Sequence, residues 1–379
     1  MLSIWERNHF IHYNHIIVGS GIVGLCTAYY LKMQNPSQSV LVVERGLLPS
    51  GASTKNAGFA CMGSLSELLA DLQTATEEEV LELFLLRKGG LERLQSILGV
   101  QEMGYKSNGS FELFFQDDIN DLARLSYVNQ LLFPHLHQNA FSICNEKIAA
   151  FGFEKNTVTG LVRNHCEAEI DTGMMMKILI AKVLQMGIEI KTGCKVLSFE
   201  DTGHEVEVVC KNPIAEQPLI FKTDSFFICN NAFAHPLLPQ EDIAPGRGQV
   251  LITKPIANLP FKGIFHFDKG YYYFREYNGC VLLGGGRNLD FETETTTDFM
   301  WNQKIQDDLM VKLQKIILPR QPFEIDLRWS GIMAFGKSKK PIVKHYSKNV
   351  FVGVRMGGMG VAIGSEVAYQ LSSLHKNTH

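Results

Sequence analysis

No Cys-x-x-Cys pair, no long apolar run and no block of like charge occurs in the sequence. The first absence matters because eight cysteines are present, at positions 26, 61, 144, 166, 194, 210, 229 and 280, each isolated. In a chain of 379 residues they read as reduced, mostly buried thiols that a disulfide framework does not need. The second absence excludes a membrane-spanning helix, which takes roughly 20 apolar residues. Residues 1–15 carry Trp5, Glu6, Arg7 and three histidines where a signal peptide needs an apolar stretch, so the expected location is the cytoplasm. The third absence leaves no electrostatic footprint for nucleic acid or an anionic membrane, since 36 Lys and Arg are scattered among 39 Asp and Glu for a net charge of -3. The twelve histidines show no metal-ligand spacing, so no metal is expected. No internal repeat or low-complexity segment is present. What remains is 45% hydrophobic, enough for a proper core, and points to small-molecule partners.

The chain opens as strand, helix, strand over residues 15–18, 22–33 and 40–43. A loop rich in Gly, Ala, Ser and Asn follows at 46–63, then amphipathic helical patterns at 65–72 and 77–98, the second expected to break at Gly89-Gly90. A further helix is expected over 172–186, with Asp171 as its N-cap and Gly187 as its stop. Short strands follow at 188–190, 196–199, 206–209 and 226–229. From Gly248 to Gly285 alternating β-branched and aromatic runs suggest an antiparallel sheet. The end returns to the first pattern: a strand at 350–352, a glycine cluster, and a helix at 361–374.

Gly19-Ser20-Gly21-Ile22-Val23-Gly24 lies between the first strand and the first helix, the context that gives such a pattern meaning. Gly19 permits the tight turn, Gly21 lets a pyrophosphate approach the backbone, and Gly24 with Ala28 allows close helix–strand packing, so that the helix N-terminus faces the phosphates. Glu44 ends the second strand twenty residues after Gly24, where a carboxylate accepts from a ribose hydroxyl and repels a 2'-phosphate. This unit binds a dinucleotide but does not separate FAD from NAD.

The segment Gly51-Ala52-Ser53-Thr54-Lys55-Asn56-Ala57-Gly58, following Glu44-Arg45, resembles the loop that glycine oxidases and D-amino-acid dehydrogenases of the D-amino-acid oxidase superfamily wrap around the FAD pyrophosphate. Residues 227–232, 247–249, 271–275, 283–287 and 328–331 resemble further family motifs in the family's order, and residues 353–360 resemble its C-terminal flavin motif. The resemblance implies an α/β fold in which a Rossmann-like FAD-binding domain interleaves with a substrate domain of α+β type. The corresponding division is 1–75, 151–235 and 326–379 for the FAD part, with 76–150 and 236–325 for the substrate part. It also implies FAD contacts from Arg45, Val196, Asn230, Ala232, Gly331, Gly357, Gly358, Met359 and Gly360. The glycine turn before the last helix would set positive potential against the flavin's pyrimidine edge. No histidine lies in 51–58 and no cysteine in 329–341, so the covalent attachments of some relatives are absent and FAD is expected to be bound non-covalently.

The chain departs from the family at the position where glycine oxidases clamp the substrate carboxylate with an arginine two residues past the glycine matching Gly331; here it is Met333. Arg287 takes a place that lies over the flavin in relatives and is the alternative clamp. Tyr271 matches a substrate-contacting tyrosine and Arg275 follows in the same pattern, so both join Arg287 as candidate catalytic residues, and alternation sets Tyr271, Tyr273 and Arg275 on one face. Leu283 stands where sarcosine oxidases keep a lysine that speeds reaction with dioxygen, so the acceptor is left open between dioxygen and a respiratory or other carrier. The triplet Met174 to Met176 reads as core filling, and residues 337–340 as a solvated basic loop. The expected reaction is FAD-dependent oxidation of an amino acid or N-substituted amino acid to an imine that hydrolyses. The rivals are a 2-hydroxy acid oxidation, which needs a base, a flavoprotein acting on RNA-borne amines or a binding module, and an NAD-dependent dehydrogenase.

Overall fold

The computed structural model describes residues 2–378. Met1 and His379, the outer limits of the first and last segments of the expected division, lie outside the described residues.

Two eight-stranded sheets border a common cavity. The centre of the first is parallel: His12–Val18 lies between Val40–Val43 and Leu219–Ile228, with Glu189–Lys191 outside the former and Val350–Val354 outside the latter. The strands Val196–Asp201, Val206–Cys210 and Ile342–Ser347 complete it in antiparallel pairing. The central strands are apolar on both faces, as a sheet covered on both sides requires. Ile17, Val40 and Val42 face a helical layer made of Ile22–Gln34, Glu77–Leu98, Thr172–Gln185 and Gly360–Thr378. Ile16, Val18, Leu41 and Val43 face the opposite core, with Val206, Val208 and Phe221. Strand order reverses at the central strand, whose neighbour on one side follows directly in the chain and whose neighbour on the other follows far later, so the strand ends Val18, Val43, Ile228 and Val354 open on a switch-point crevice.

The second sheet runs in the order Ile325–Phe335, Ala244–Thr253, Cys280–Gly285, Tyr272–Tyr277, Ile264–Phe267, Ser110–Phe114, Gly160–Asn164, Phe141–Ile143. All its pairs are antiparallel except Ile264–Phe267 with Ser110–Phe114. Its outer face is a phenylalanine-rich core including Phe111, Phe265 and Phe274, covered by the helix Gln303–Lys312. Its inner face looks toward the first sheet. Leu283 belongs to the outer core, so the position matched to the sarcosine oxidase lysine points away from the space between the sheets.

Most expected elements form within a residue or two of their expected ends, and the Asp171 cap forms as expected, its carboxylate accepting from Met174 N at 2.9 Å. Met175 and Met176 are buried, while Met174 is exposed. Several placements differ. The helix Glu77–Leu98 runs unbroken through Gly89-Gly90. A side chain at Gly90 would fall on the carbonyl oxygen of Ala362, so the glycine serves the close approach of this helix to Gly360–Thr378. Propensity of about 1 kcal/mol against glycine is outweighed by that packing. The same contact ties this helix to the cofactor side, although 76–150 reads from sequence as substrate part. Gly160–Asn164 pairs within the second sheet despite falling in 151–235. Ile325–Phe335 pairs along its length with Ala244–Thr253, although all but Ile325 falls in the C-terminal segment. A capped short helix, Ile4–His9, precedes the first strand where no element is expected. No helix among the described residues is long and apolar enough to cross a membrane.

Candidate active site

A cavity of about 900 Å³ opens between the two sheets, and its lining joins the strand ends of the first to the inner face of the second. At the crevice end, Gly19 has φ +104°, and a Cβ there would press on the Cys229 carbonyl at 3.0 Å. The turn therefore requires glycine. Gly21 caps the helix without a side chain, and Ile22 N donates to Ser53 Oγ at 3.0 Å, which docks the 51–58 loop onto the helix start. Gly21, Ile22 and Val23 line the cavity, whereas Gly24 packs its backbone against Gly19. Glu44 is buried at the cavity wall and accepts from Ser20 N, Ser20 Oγ, Gly46 N and Ser50 Oγ, which fixes its carboxyl group at this end. Arg45 lays its guanidinium 3.4 Å over the Phe233 ring.

Gly51, Ala52, Ser53, Asn56 and Ala57 contribute the loop wall. Asn56 organises it: its amide donates to Ser53 O at 3.0 Å and its carbonyl accepts from Gly58 N and Thr172 Oγ1. Gly58 itself is turned away from the cavity. Gly331 lets the loop cross the second sheet, since a Cβ there would meet Lys55 Cβ at 2.9 Å. Val196, Asn230 and Ala232 also line the wall, and Asn230 Oδ1 is buried without a hydrogen-bond partner among the described residues. Gly357 to Gly360 bring the N-terminus of the last helix to the same space. Two strained residues here were not foreseen: Asn231 at φ +48° and Arg355 at φ +68°. They hold each other, the Asn231 carbonyl accepting from Arg355 N at 2.9 Å and Met356 N at 3.2 Å. Two helix N-termini, a glycine cradle and an orphaned acceptor fit a dinucleotide cofactor, which the crevice glycines, Glu44 and the 51–58 loop would hold.

The second sheet supplies the other end. Arg287 lines the cavity with its Cζ 4.3 Å from the Phe335 ring centroid and 5.0 Å from that of Phe291. Its Nε is buried without a hydrogen-bond partner among the described residues. Tyr271 lines the mouth and is partly exposed. Tyr273 lies across Gly284, and burial pushes its phenol up to about 12. Met333 packs against Gly248 on the same wall. Arg275 shares a face with Tyr271 and Tyr273 but is not brought to the cavity. Loops cover that face at its position, and Arg275 donates to Gly58 O at 2.8 Å and Ile170 O at 2.7 Å while pairing with Glu169 at 3.2 Å. It is a buried clip between loop and sheet. Lys339 and Lys340, in the loop expected to be merely solvated, pair with Asp71 and Glu82.

A buried polar group beside the cavity escaped sequence reasoning. His266 lines the wall with its Nε2 3.5 Å from Glu167 Oε2. Glu167 accepts from Met62 N at 2.7 Å, Gly63 N at 2.9 Å and Ser110 Oγ at 2.7 Å. Burial raises the Glu167 carboxyl, but His266 and these donors hold it below its ordinary value. Burial likewise pulls His266 down, yet Glu167, with Glu67 and Glu112 nearby, leaves it raised. Glu112 accepts from Ser64 Oγ, Ser66 Oγ and Ser66 N, and burial nevertheless pushes it up to about 7. The only sequence signal was polar residues inside the apolar runs 110–115 and 264–267.

A family model described as DAO, FAD dependent oxidoreductase, matches residues 14–374. A comparison with curated proteins finds no match. Among solved structures, glycine oxidase from Geobacillus kaustophilus superposes with a TM-score of 0.78 at 16% identity, covering 97% of this chain and 95% of that one. L-proline dehydrogenase from P. horikoshii gives 0.77 at 17%, covering 97% and 94%. Iminodiacetate oxidase from Chelativorans sp. BNC1 gives 0.76 at 15%, covering 96% and 95%.

Proposed function

Because this chain belongs to the DAO family of FAD-dependent oxidoreductases, we propose that it oxidises an amino acid or N-substituted amino acid at the carbon bearing nitrogen, giving an imine that hydrolyses. The observation that carries this reading is Arg287, a cation on the cavity wall with its Nε unpartnered among the described residues and its guanidinium set against aromatic faces. A substrate carboxylate supplies the bidentate partner that a guanidinium lacks there. The names of the structural neighbours, glycine oxidase, L-proline dehydrogenase and iminodiacetate oxidase, point to the same substrate class.

FAD, when bound, supplies the hydride acceptor. The chain's own work is positioning and exclusion of water. Arg287 holds the carboxylate, Met333, Tyr273 and Phe59 form a dry wall, and Tyr271 stands at the mouth. A pair of substrates tests the anchor: an amino acid and the amine lacking its carboxyl group. Arg287→Ala should slow anaerobic flavin reduction by the amino acid and leave reduction by the amine nearly unchanged; equal losses for both would refute it. A second reading, oxidation of a 2-hydroxy acid, is favoured by one observation, the imidazole of His266 on the wall, since that reaction needs a base.

A further inference from the structure

We infer that His266, backed by Glu167 and Glu112, takes up the proton that an amino substrate must shed before the lone pair on its nitrogen can assist departure of the neighbouring hydride. This rests on the amine-oxidising reading above. The step itself is a proton transfer: an N–H bond of the substrate ammonium breaks, its electron pair stays on nitrogen, and the proton goes to the buried cluster. No electrons change hands in it.

Register places the cluster. Glu112, His266, Tyr273, Gly284, Val250 and Trp329 stand side by side across five neighbouring pairs of the second sheet, so they share its inner face. His266, Tyr273 and Val250 of this row line the cavity. His266 is buried, its ring stands edge-on to Phe59 with centroids 5.2 Å apart, and its Nε2 has an ion-pair neighbour but no hydrogen-bond partner among the described residues. The carboxylate behind it is fixed by two backbone amides and a serine, so the imidazole is oriented by a group that cannot swing away. On the same side, Glu112 is held by two serines and adds a second acceptor adjacent to the ring.

The carboxylates acting on His266 are Glu167 from the turn after Gly160–Asn164, Glu112 from Ser110–Phe114 and Glu67 from Leu65–Asp71, while Tyr273 from the next strand, Cys61 from the loop and Arg87 from Glu77–Leu98 line the same cavity. Most are poor acceptors near neutrality. Tyr273 and Cys61 are both pushed up by burial, so they keep their protons, and Arg87 is a cation. Glu67 is occupied in its helix cap, accepting from Ser64 N at 3.0 Å. With Glu112 near 7, the cluster exchanges one proton in the range where an amino substrate arrives as its ammonium form.

The test is the pH profile of anaerobic flavin reduction by glycine, N-methylglycine, L-proline and D-alanine, using FAD-loaded full-length protein. Wild type, His266→Gln, Glu112→Gln and Glu67→Gln are compared, with flavin content and thermal melting as folding readouts. Expected is a wild-type limiting pKa well below that of the free substrate ammonium. In His266→Gln it should move up toward that value, so that the rate near neutrality falls roughly tenfold for each pH unit the profile moves, and recovers in alkali. If His266→Gln does not hold flavin, Glu112→Gln carries the same expectation with a smaller displacement. An unchanged profile in the folded variants overturns the inference, as does an equal loss at every pH, or a displacement produced by Glu67→Gln alone. A wild type inert to all four compounds overturns the inference together with the amine-oxidising reading, whereas a reduced wild type with undisplaced variants overturns the inference only.

Discussion

The two ends of the cavity are built by different means. At the crevice end the lining is mostly backbone, with the Glu44 and Arg45 side chains beside it: glycines at Gly19, Gly21 and Gly357 to Gly360, two helix starts, and a loop of small residues. At the sheet end they are side chains from several strands and the turn after one of them: Arg287, Tyr273, Met333 and His266. Backbone recognition tolerates no bulk but demands little of charge, while side-chain recognition can be altered one residue at a time without disturbing the fold. On the proposed reading, the first end sets the cofactor and the second sets the substrate.

The largest effect should come from the crevice end. Gly19→Val places a branched residue at φ +104° against the Cys229 carbonyl, and the purified protein should be colourless, with no flavin absorbance after reconstitution. A yellow Gly19→Val protein would erase the contrast. At the sheet end, Arg287→Ala should keep its flavin but lose about 2–4 kcal/mol of transition-state binding for an amino acid, roughly 30- to 1000-fold in kcat/KM.

Between the ends, Arg275 belongs to structure. Breaking its buried contacts with Glu169, Gly58 and Ile170 by Arg275→Ala should cost about 3–5 kcal/mol, read as a lower denaturation midpoint. Gly90→Ala should cost about 1–3 kcal/mol by forcing apart the helices Glu77–Leu98 and Gly360–Thr378.

The last effect is electrostatic and appears only as a dependence on pH. Glu112 has a folded-state pKa raised to about 7 from 4.5, so the folded state binds the proton more tightly than the unfolded one. Its contribution is fully favourable below the unfolded value and declines as pH rises toward about 7, by up to roughly 1.4 kcal/mol per pH unit. Glu112→Gln should flatten that slope in a series of denaturant melts, and a slope identical to wild type would show that the carboxyl is not perturbed.

The same contrast explains what could be read from the sequence. The crevice end is local: Gly19 to Gly24, Glu44 and the 51–58 loop lie within forty residues of each other, and their spacing follows from one strand–helix–strand unit. The sheet end joins residues separated by whole elements, such as His266 with Glu167 and Glu112, whose neighbourhood depends on a parallel pairing that no local pattern announces. Arg275 shows the limit of periodicity, which placed it on the correct face but could not see the loops covering that face. Gly89-Gly90 shows the limit of propensity, since a partner helix and not the helix itself explains the glycine.

The most direct measurement is anaerobic bleaching of the wild-type flavin by amino acids, N-substituted amino acids and matched 2-hydroxy acids. Bleaching by amino compounds, with the hydroxy acids inert, is the predicted result; bleaching by hydroxy acids alone would contradict it and transfer the carboxylate anchor and the His266 cluster to a different reaction.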